Sequence, residues 1–452
     1  MPKIRIHDTL GGGLRELEPR QPPKVGIYAC GPTTYGRIHI GNARPFVVFS
    51  LLRRFLAHQG LQPWLVINVT DINDKIYAAA RETGQDSAKF AAEMSAAYVA
   101  DTNGLGLGRP DSEPRASQSI EGIVSLISDL IGTGHAYESG GDVYFRVRSF
   151  EGYGKLSNRD PDQMDQGEEA GTASLKQDPL DFALWKAHKP SEDTSWPSPW
   201  GPGRPGWHIE CSAMAEAELG ADFEIHGGGS DLVFPHHENE IAQTEAAREA
   251  PLARIWMHNG MVQTQADSKM AKSVGNVFLL HEALDRFGAE AVVNFLISGH
   301  YRQPLVFGEE ALEQALSRNE RIRDFFRGAE RVDGDPDPRV TQGREGFLEA
   351  LADDFNTPRA MAELYELIRE ANRRPRSGAH EVIAEMLQLL GLESLSEPDK
   401  DHLDETALLG ERELARREKD FERADAIRDE LAERGWEIRD APEGARLVRK
   451  TA

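Results

Sequence analysis

Hydrophobic positions along the chain change their period several times, and each change marks an element. Residues 25–29 are an apolar, β-prone run, followed by a polar stretch that reaches Asn42. Phe46, Phe49, Leu52 and Leu56 then recur at helical spacing, and a second apolar run covers residues 64–69. This is strand, turn, helix, strand: one βαβ unit whose turn joins the carboxyl end of a strand to the amino end of a helix. Such a turn presents unpaired backbone N–H groups and a positive dipole, a setting that suits phosphate. The pattern predicts a first half-sheet over residues 1–108. Residues 109–206 read as an insertion, in which the alternation of 142–148 predicts a separate sheet and 151–206 is irregular and rich in proline. The nucleotide-type fold resumes at residues 223–226, so 207–308 is its second half.

Beyond residue 309 the period becomes helical. Phe347, Leu348, Leu351, Phe355, Met361, Leu364, Tyr365 and Ile368 mark helices broken at Asn356-Thr-Pro358, where proline fits a helix start. This gives a bundle over 309–398. In 399–452, Leu414, Phe421, Ala424, Ile427 and Leu431 form an apolar stripe, Gly435 can stop that helix, and a basic end follows at Arg446, Arg449 and Lys450.

Chemistry enters at four places. Residues 30–44 read CGPTTYGRIHIGNAR, joining a thiol to a phosphate-type turn at His39-Ile-Gly-Asn42. Lys269-Met-Ala-Lys-Ser273 lies among small and polar residues and reads as a loop whose lysines can close over a triphosphate; by itself such a pair is also an ordinary solvated surface. The chain has only two cysteines, Cys30 and Cys211. A disulfide framework is a poor fit to so few thiols in so long a chain, which leaves buried inert residues or metal ligands. The segment Pro235-His-His-Glu-Asn-Glu240 favours metal, because a helix opened by Pro235 puts His236 and Glu240 four apart on one face. Two thiolates, an imidazole and a carboxylate are a donor set that zinc takes. His237 and Glu238 fall off that face and read as residues that support the ligands from behind or as structural.

The turn and the lysine loop resemble the two signatures of class I aminoacyl-tRNA synthetases, with Ala271 a departure from the usual loop. From about residue 20 onward the chain resembles the cysteinyl-tRNA synthetases, on Cys30-Gly-Pro-Thr, Asn68-Val-Thr-Asp-Ile-Asn-Asp-Lys75, Pro205-Gly-Trp-His-Ile-Glu-Cys-Ser-Ala-Met214 and His226-Gly-Gly-Gly-Ser-Asp231. The resemblance implies an α/β, Rossmann-like catalytic domain with an insertion, followed by an α-helical bundle and a small C-terminal anticodon-recognition domain. It implies one Zn²⁺ per chain on Cys30, Cys211, His236 and Glu240, taking the thiolate of substrate cysteine. His39, Asn42, Lys269 and Lys272 would stabilise charge at the α-phosphate. Gly41, Gly229, Asp231, Lys272 and Ser273 would bind ATP with Mg²⁺. Thr70, Trp207 and His226 would form the amino-acid pocket. A metal that prefers thiolate to a protonated hydroxyl would remove the need for editing, since apolar pockets alone discriminate by only about 10².

The implied partners are tRNA(Cys), L-cysteine and ATP, acting with a monomer in the cytoplasm. Residues 1–21 lack the apolar core of a signal peptide and no run of about 18 apolar residues occurs, so no membrane is expected. The net charge of −23 speaks mildly against nucleic acid, but a tRNA enzyme needs only local basic faces. Two rivals remain. One is a ligase joining cysteine to a small amine, as in the mycothiol pathway, which residues 399–452 disfavour. The other is a non-catalytic cysteine-sensing or tRNA-binding paralogue, which the intact His39, Lys269 and Lys272 disfavour.

Overall fold

A computed structural model describes residues 3–163, 173–264, 278–397, 403–434, 436–441 and 444–449. An antiparallel hairpin of β1 (Arg5–Asp8) and β2 (Gly13–Glu16) precedes the expected βαβ unit. That unit is β3 (Lys24–Ala29), α1 (Ile40–His58) and β4 (Gln62–Ile67), with the two strands parallel and Ala29 opposite Ile67. Most of α1 is buried, Phe46, Val47, Phe49, Leu52, Phe55 and Leu56 included, because it is covered by the sheet and by later helices.

Next come α2 (Asp74–Thr83), α3 (Ser87–Asn103) and α4 (Ile120–Gly132), then β5 (Ala136–Ser139), β6 (Asp142–Phe145), β7 (Phe182–Ala187) and β8 (Gly203–Pro205). These four strands make a separate antiparallel sheet in chain order. It differs from the sequence reading in two ways. Asp142–Phe145 is buried at every position, so the alternation seen in the sequence is not an alternation of faces. The stretch read as irregular supplies β7 and β8. Phe182-Ala-Leu-Trp is apolar throughout, as a strand covered on both sides must be, and such a run carries no period to read. Its cover includes α5 (Trp207–Leu219) and α6 (Glu238–Arg248), whose Ile209, Ala213, Ala242 and Ala246 share one core with α4 and this sheet.

Between α5 and α6 runs β9 (Phe223–Gly229), and β10 (Ala253–Asn259) follows α6. The central sheet has the order β10-β9-β3-β4, all parallel. The chain winds outward from β3 to β4 and returns on the other side at β9, so a crevice opens between β3 and β9 at the carboxyl ends of the strands. β11 (Val262–Thr264) pairs with β12 (Leu305–Phe307) across α7 (Leu280–Phe287) and α8 (Ala289–Leu296). The bundle comprises α9 (Glu309–Gly328), α10 (Pro338–Ala352), α11 (Thr357–Arg373) and α12 (Ala379–Leu389), and its core is continuous with that of α1. Asp337 caps α10 and Asn356 caps α11, each just ahead of a proline in the first turn.

The last unit holds α13 (Leu403–Glu418), α14 (Phe421–Glu433), β13 (Trp436–Ala441) and β14 (Gly444–Arg449). The stripe expected from Leu414 to Leu431 is split by Lys419, whose φ is 66°. Leu414 and Phe421 are consequently 55% and 62% exposed, while Ala424, Ile427 and Leu431 are buried. Gly435 lies outside the described residues. No helix among the described residues is long and apolar enough to cross a membrane.

Candidate functional site

The crevice is a cavity of about 580 Å³ lined by residues that follow all four strands of the parallel sheet: Cys30 after β3, Thr70 after β4, Asp231 after β9 and Gly260 after β10. Cys30 donates its backbone N–H to Gly227 O at 2.9 Å, which ties the end of β3 to β9. Gly31 then passes so close to β4 that a Cβ would lie 1.8 Å from the Asn68 carbonyl oxygen. Its N–H donates to Asn68 Oδ1 at 2.9 Å, and Asn68 Nδ2 donates to Thr70 Oγ1 at 3.2 Å.

Cys30, Cys211, His236 and Glu240 converge on one buried point, all four ligand atoms within 4.8 Å of one another. Cys30 Sγ lies 3.8 Å from Cys211 Sγ and 3.6 Å from both His236 Nε2 and Glu240 Oε1. A tetrahedral zinc with Zn–S of about 2.3 Å has an S–S edge of about 3.8 Å, so the donors fit the ion in type and spacing. Charge points the same way. Burial pushes the Cys30 thiol well up, whereas a hydrogen bond from Cys30 brings Cys211 down to about 6. Against burial, His226 and His236 hold the Glu240 carboxyl well below the usual range. Also against burial, Glu240 and Cys211 raise His236 to about 10. The shifts at Cys211, Glu240 and His236 each favour the charged form of the group, so the point where the three meet is one that stabilises a positive charge.

Neighbouring rings aim the donors. His208 Nδ1 meets His236 Nδ1 at 3.0 Å, turning His236 Nε2 toward the sulfurs, and the Trp207 ring stacks on His236 with centroids 4.3 Å apart. His226, expected on the pocket wall, stands instead behind the cluster. It is fully buried, is not among the residues lining the cavity, and meets Glu240 Oε2 through Nε2 at 2.7 Å.

His237, read as supporting the ligands or as structural, comes up against the cluster itself. The helix opens at Glu238 rather than Pro235, after a wide turn in which Phe234 is extended. His237 therefore swings inward, its Nε2 3.4 Å from Cys30 Sγ and its Nδ1 2.7 Å from His258 Nε2. Cys30, His226, His237 and Glu240 form a second donor set overlapping the first. Glu238 is structural as read: buried, it accepts from the N–H groups of Gly154 at 2.9 Å and Ser157 at 2.8 Å.

At the far end of the cavity His39 caps α1. Its Nδ1 accepts from Asn42 N at 3.3 Å while Asn42 Oδ1 accepts from His39 N at 3.2 Å, a reciprocal capping box that fixes the turn and faces the helix's amino end into the cavity. Gly41, Gly229, Asp231, Thr70 and Trp207 line the same space. Lys269, Lys272 and Ser273 lie outside the described residues. The sequence reading missed Tyr35, Lys75 and Asn259, which also line the cavity. Only their position after a strand or at a helix start could have suggested them.

Residues 16–317 match the tRNA synthetases class I (C) catalytic domain, 346–393 the DALR domain, and 402–446 the cysteinyl-tRNA ligase anticodon binding domain. The chain belongs to the cysteinyl class I tRNA synthetase family. Within this family, the cysteine–tRNA ligase of Shouchella clausii is 42% identical over 99% of both chains, and that of Halorhodospira halophila is 44% identical over 99% of both. The fold is shared more widely. The methionyl-tRNA synthetase of Mycobacterium tuberculosis, solved with methionyl-adenylate, superposes with a TM-score of 0.64 at 15% identity, covering 82% of this chain and 92% of that one. The Agrobacterium radiobacter LeuRS in a ternary complex gives 0.62 at 12% identity, covering 85% and 86%.

Proposed function

We propose that the protein is a cysteine–tRNA ligase, activating L-cysteine with ATP and transferring it to tRNA(Cys). The observation that carries this reading is that one cavity holds both a buried two-thiol metal-type cluster and the capped amino end of α1. The cysteine carboxylate attacks the α-phosphate of ATP, pyrophosphate leaves, and the terminal adenosine hydroxyl of tRNA then displaces AMP from cysteinyl-adenylate. No side-chain nucleophile is needed, so rate comes from positioning and charge stabilisation.

His39 and Asn42 hold the α1 turn so that its N–H groups meet the phosphates, and Lys269 and Lys272 close over them with Mg²⁺. Gly41 and Ser273 border the triphosphate, while Gly229 and Asp231 meet the ribose. Thr70 and Trp207 bound the amino acid, and His226 orients Glu240. Cys30, Cys211, His236 and Glu240 would hold one zinc per chain, which would supply a soft Lewis acid favouring a thiolate over a protonated hydroxyl. The reading carries a monomer at work in the cytoplasm. The match of residues 402–446 to an anticodon binding domain argues against a small-amine acceptor.

The test joins metal analysis to ATP–pyrophosphate exchange. The protein should contain about one zinc per chain, Cys211→Ser should lower zinc content and cysteine-dependent exchange together, and serine should support almost no exchange. Full activity in protein shown to be metal-free would overturn the zinc assignment. Failure of the wild type to charge tRNA(Cys) would overturn the ligase reading.

A further inference from the structure

Lys75 has no role in the account so far, yet it is the only lysine or arginine among the described residues that line the cavity. It sits in the first turn of α2, where Asn73 caps the helix by accepting from Lys75 N at 3.0 Å. A helix's amino end disfavours a cation, so helix stability does not account for a lysine there. The side chain is exposed and its ammonium lies 5.4 Å from the centre of the Tyr35 ring, another cavity residue. No carboxylate pairs with that ammonium among the described residues.

The neighbouring acid is already committed. Asp74 accepts from Lys186 Nζ at 3.1 Å and from Arg204, which is itself buried and bonded to Glu192 Oε1 at 2.9 Å. Those contacts bind the start of α2 to β7 and β8. A second set, Tyr77 OH to Thr194 Oγ1 at 2.7 Å and Ser87 N to Asp193 Oδ2 at 2.8 Å, holds α2 and the start of α3 to the segment between those strands. The backbone carrying Lys75 is thus fixed at the cavity edge, and among the described residues its ammonium meets the Tyr35 ring but no counter-charge. The cavity's substrates are anionic, and an uncompensated cation on its wall is a binding group for one of them.

We propose that Lys75 binds a substrate phosphate. The inference rests on the ligase reading, which offers two sources of that chemistry: the triphosphate of ATP and the backbone phosphates at the 3′ end of tRNA. Lys75→Ala and Lys75→Arg, compared with wild type, separate them. If the triphosphate is the ligand, Lys75→Ala should raise the KM for ATP in cysteine-dependent exchange on the order of tenfold, a charge-assisted contact being lost. If the tRNA end is the ligand, the loss should appear in single-turnover transfer from preformed cysteinyl-adenylate, and shrink as salt rises.

Lys75→Arg should recover most of the loss in either case, because charge is what the site requires. A change below twofold in both steps, a rise confined to the KM for cysteine, or an arginine variant as poor as alanine would overturn the proposal. Wild-type enzyme that charges tRNA(Cys) in the same assays keeps that failure distinct from failure of the ligase reading.

Discussion

At Gly31 the site has no room for a side chain. The residue follows a metal-type cysteine, and a Cβ there would lie 1.8 Å from the backbone oxygen of Asn68, just past β4, which has no flexible end to move aside. Gly31→Ala must therefore displace the β3 terminus and Cys30 with it. We expect a loss of stability of about 1–3 kcal/mol, typical of overpacking, together with lower zinc content. Thermal unfolding and elemental analysis check both, and an alanine variant with full zinc and unchanged melting would show that the strand end can shift freely. Cys30, Cys211, His236 and Glu240 could be singled out from sequence because thiols are rare in this chain and a histidine and glutamate four apart suggest one face of a helix, although His236 in fact sits in the turn ahead of α6. His226 and His237 could not be placed the same way. Their directions depend on the wide turn at 233–237 and on the crossing of β9 behind α6, neither of which any residue spacing encodes.

At the scale of elements, α1 was legible because its apolar residues keep a helical period between clear polar turns, and β7 was not because a strand buried on both faces has no period. What α1 does at its far end was equally hidden. His58, in its last turn, meets Glu385 Oε1 of α12 at 2.7 Å, and Arg344 of α10 donates to both Glu385 oxygens at 2.6 Å. The Arg344 hydrogen bonds hold the Glu385 carboxyl below the usual glutamate range. A depressed folded pKa means the contribution is full above the unfolded value of about 4.3 and is lost as pH falls through the lower folded value. Glu385→Gln should then cost about 1 kcal/mol at pH 7, discounted for partial exposure. The deficit should shrink as the pH drops below about 4. Denaturant unfolding at pH 7 and pH 3 checks the sign, and a deficit that grew in acid would contradict it.

For the whole molecule, the order of parts could be read from changes of period, while their dependence on one another could not. The sheet of the insertion completes its core with α5 and α6, which the chain reaches only after leaving the insertion, so those parts fold as one body. The C-terminal unit is different. Ile427, Leu431 and Trp436 form a core with Leu408 and Ile438, all from within the unit, and among the described residues β13 pairs only with β14. Overall charge is silent on what such a unit does, since −23 averages over every face. Its separate core makes a sharper test possible. Among the described residues, deleting 399–452 removes no side chain from the hydrophobic clusters of the catalytic region, so cysteine-dependent ATP–pyrophosphate exchange should stay within about twofold of wild type. Charging of tRNA(Cys) should fall by at least tenfold if the unit contributes even one well-made base contact, worth about 1–3 kcal/mol. Measured side by side, the two assays separate recognition from folding. Equal loss in both would mean that the unit supports the catalytic fold, and its assignment to the anticodon would fail.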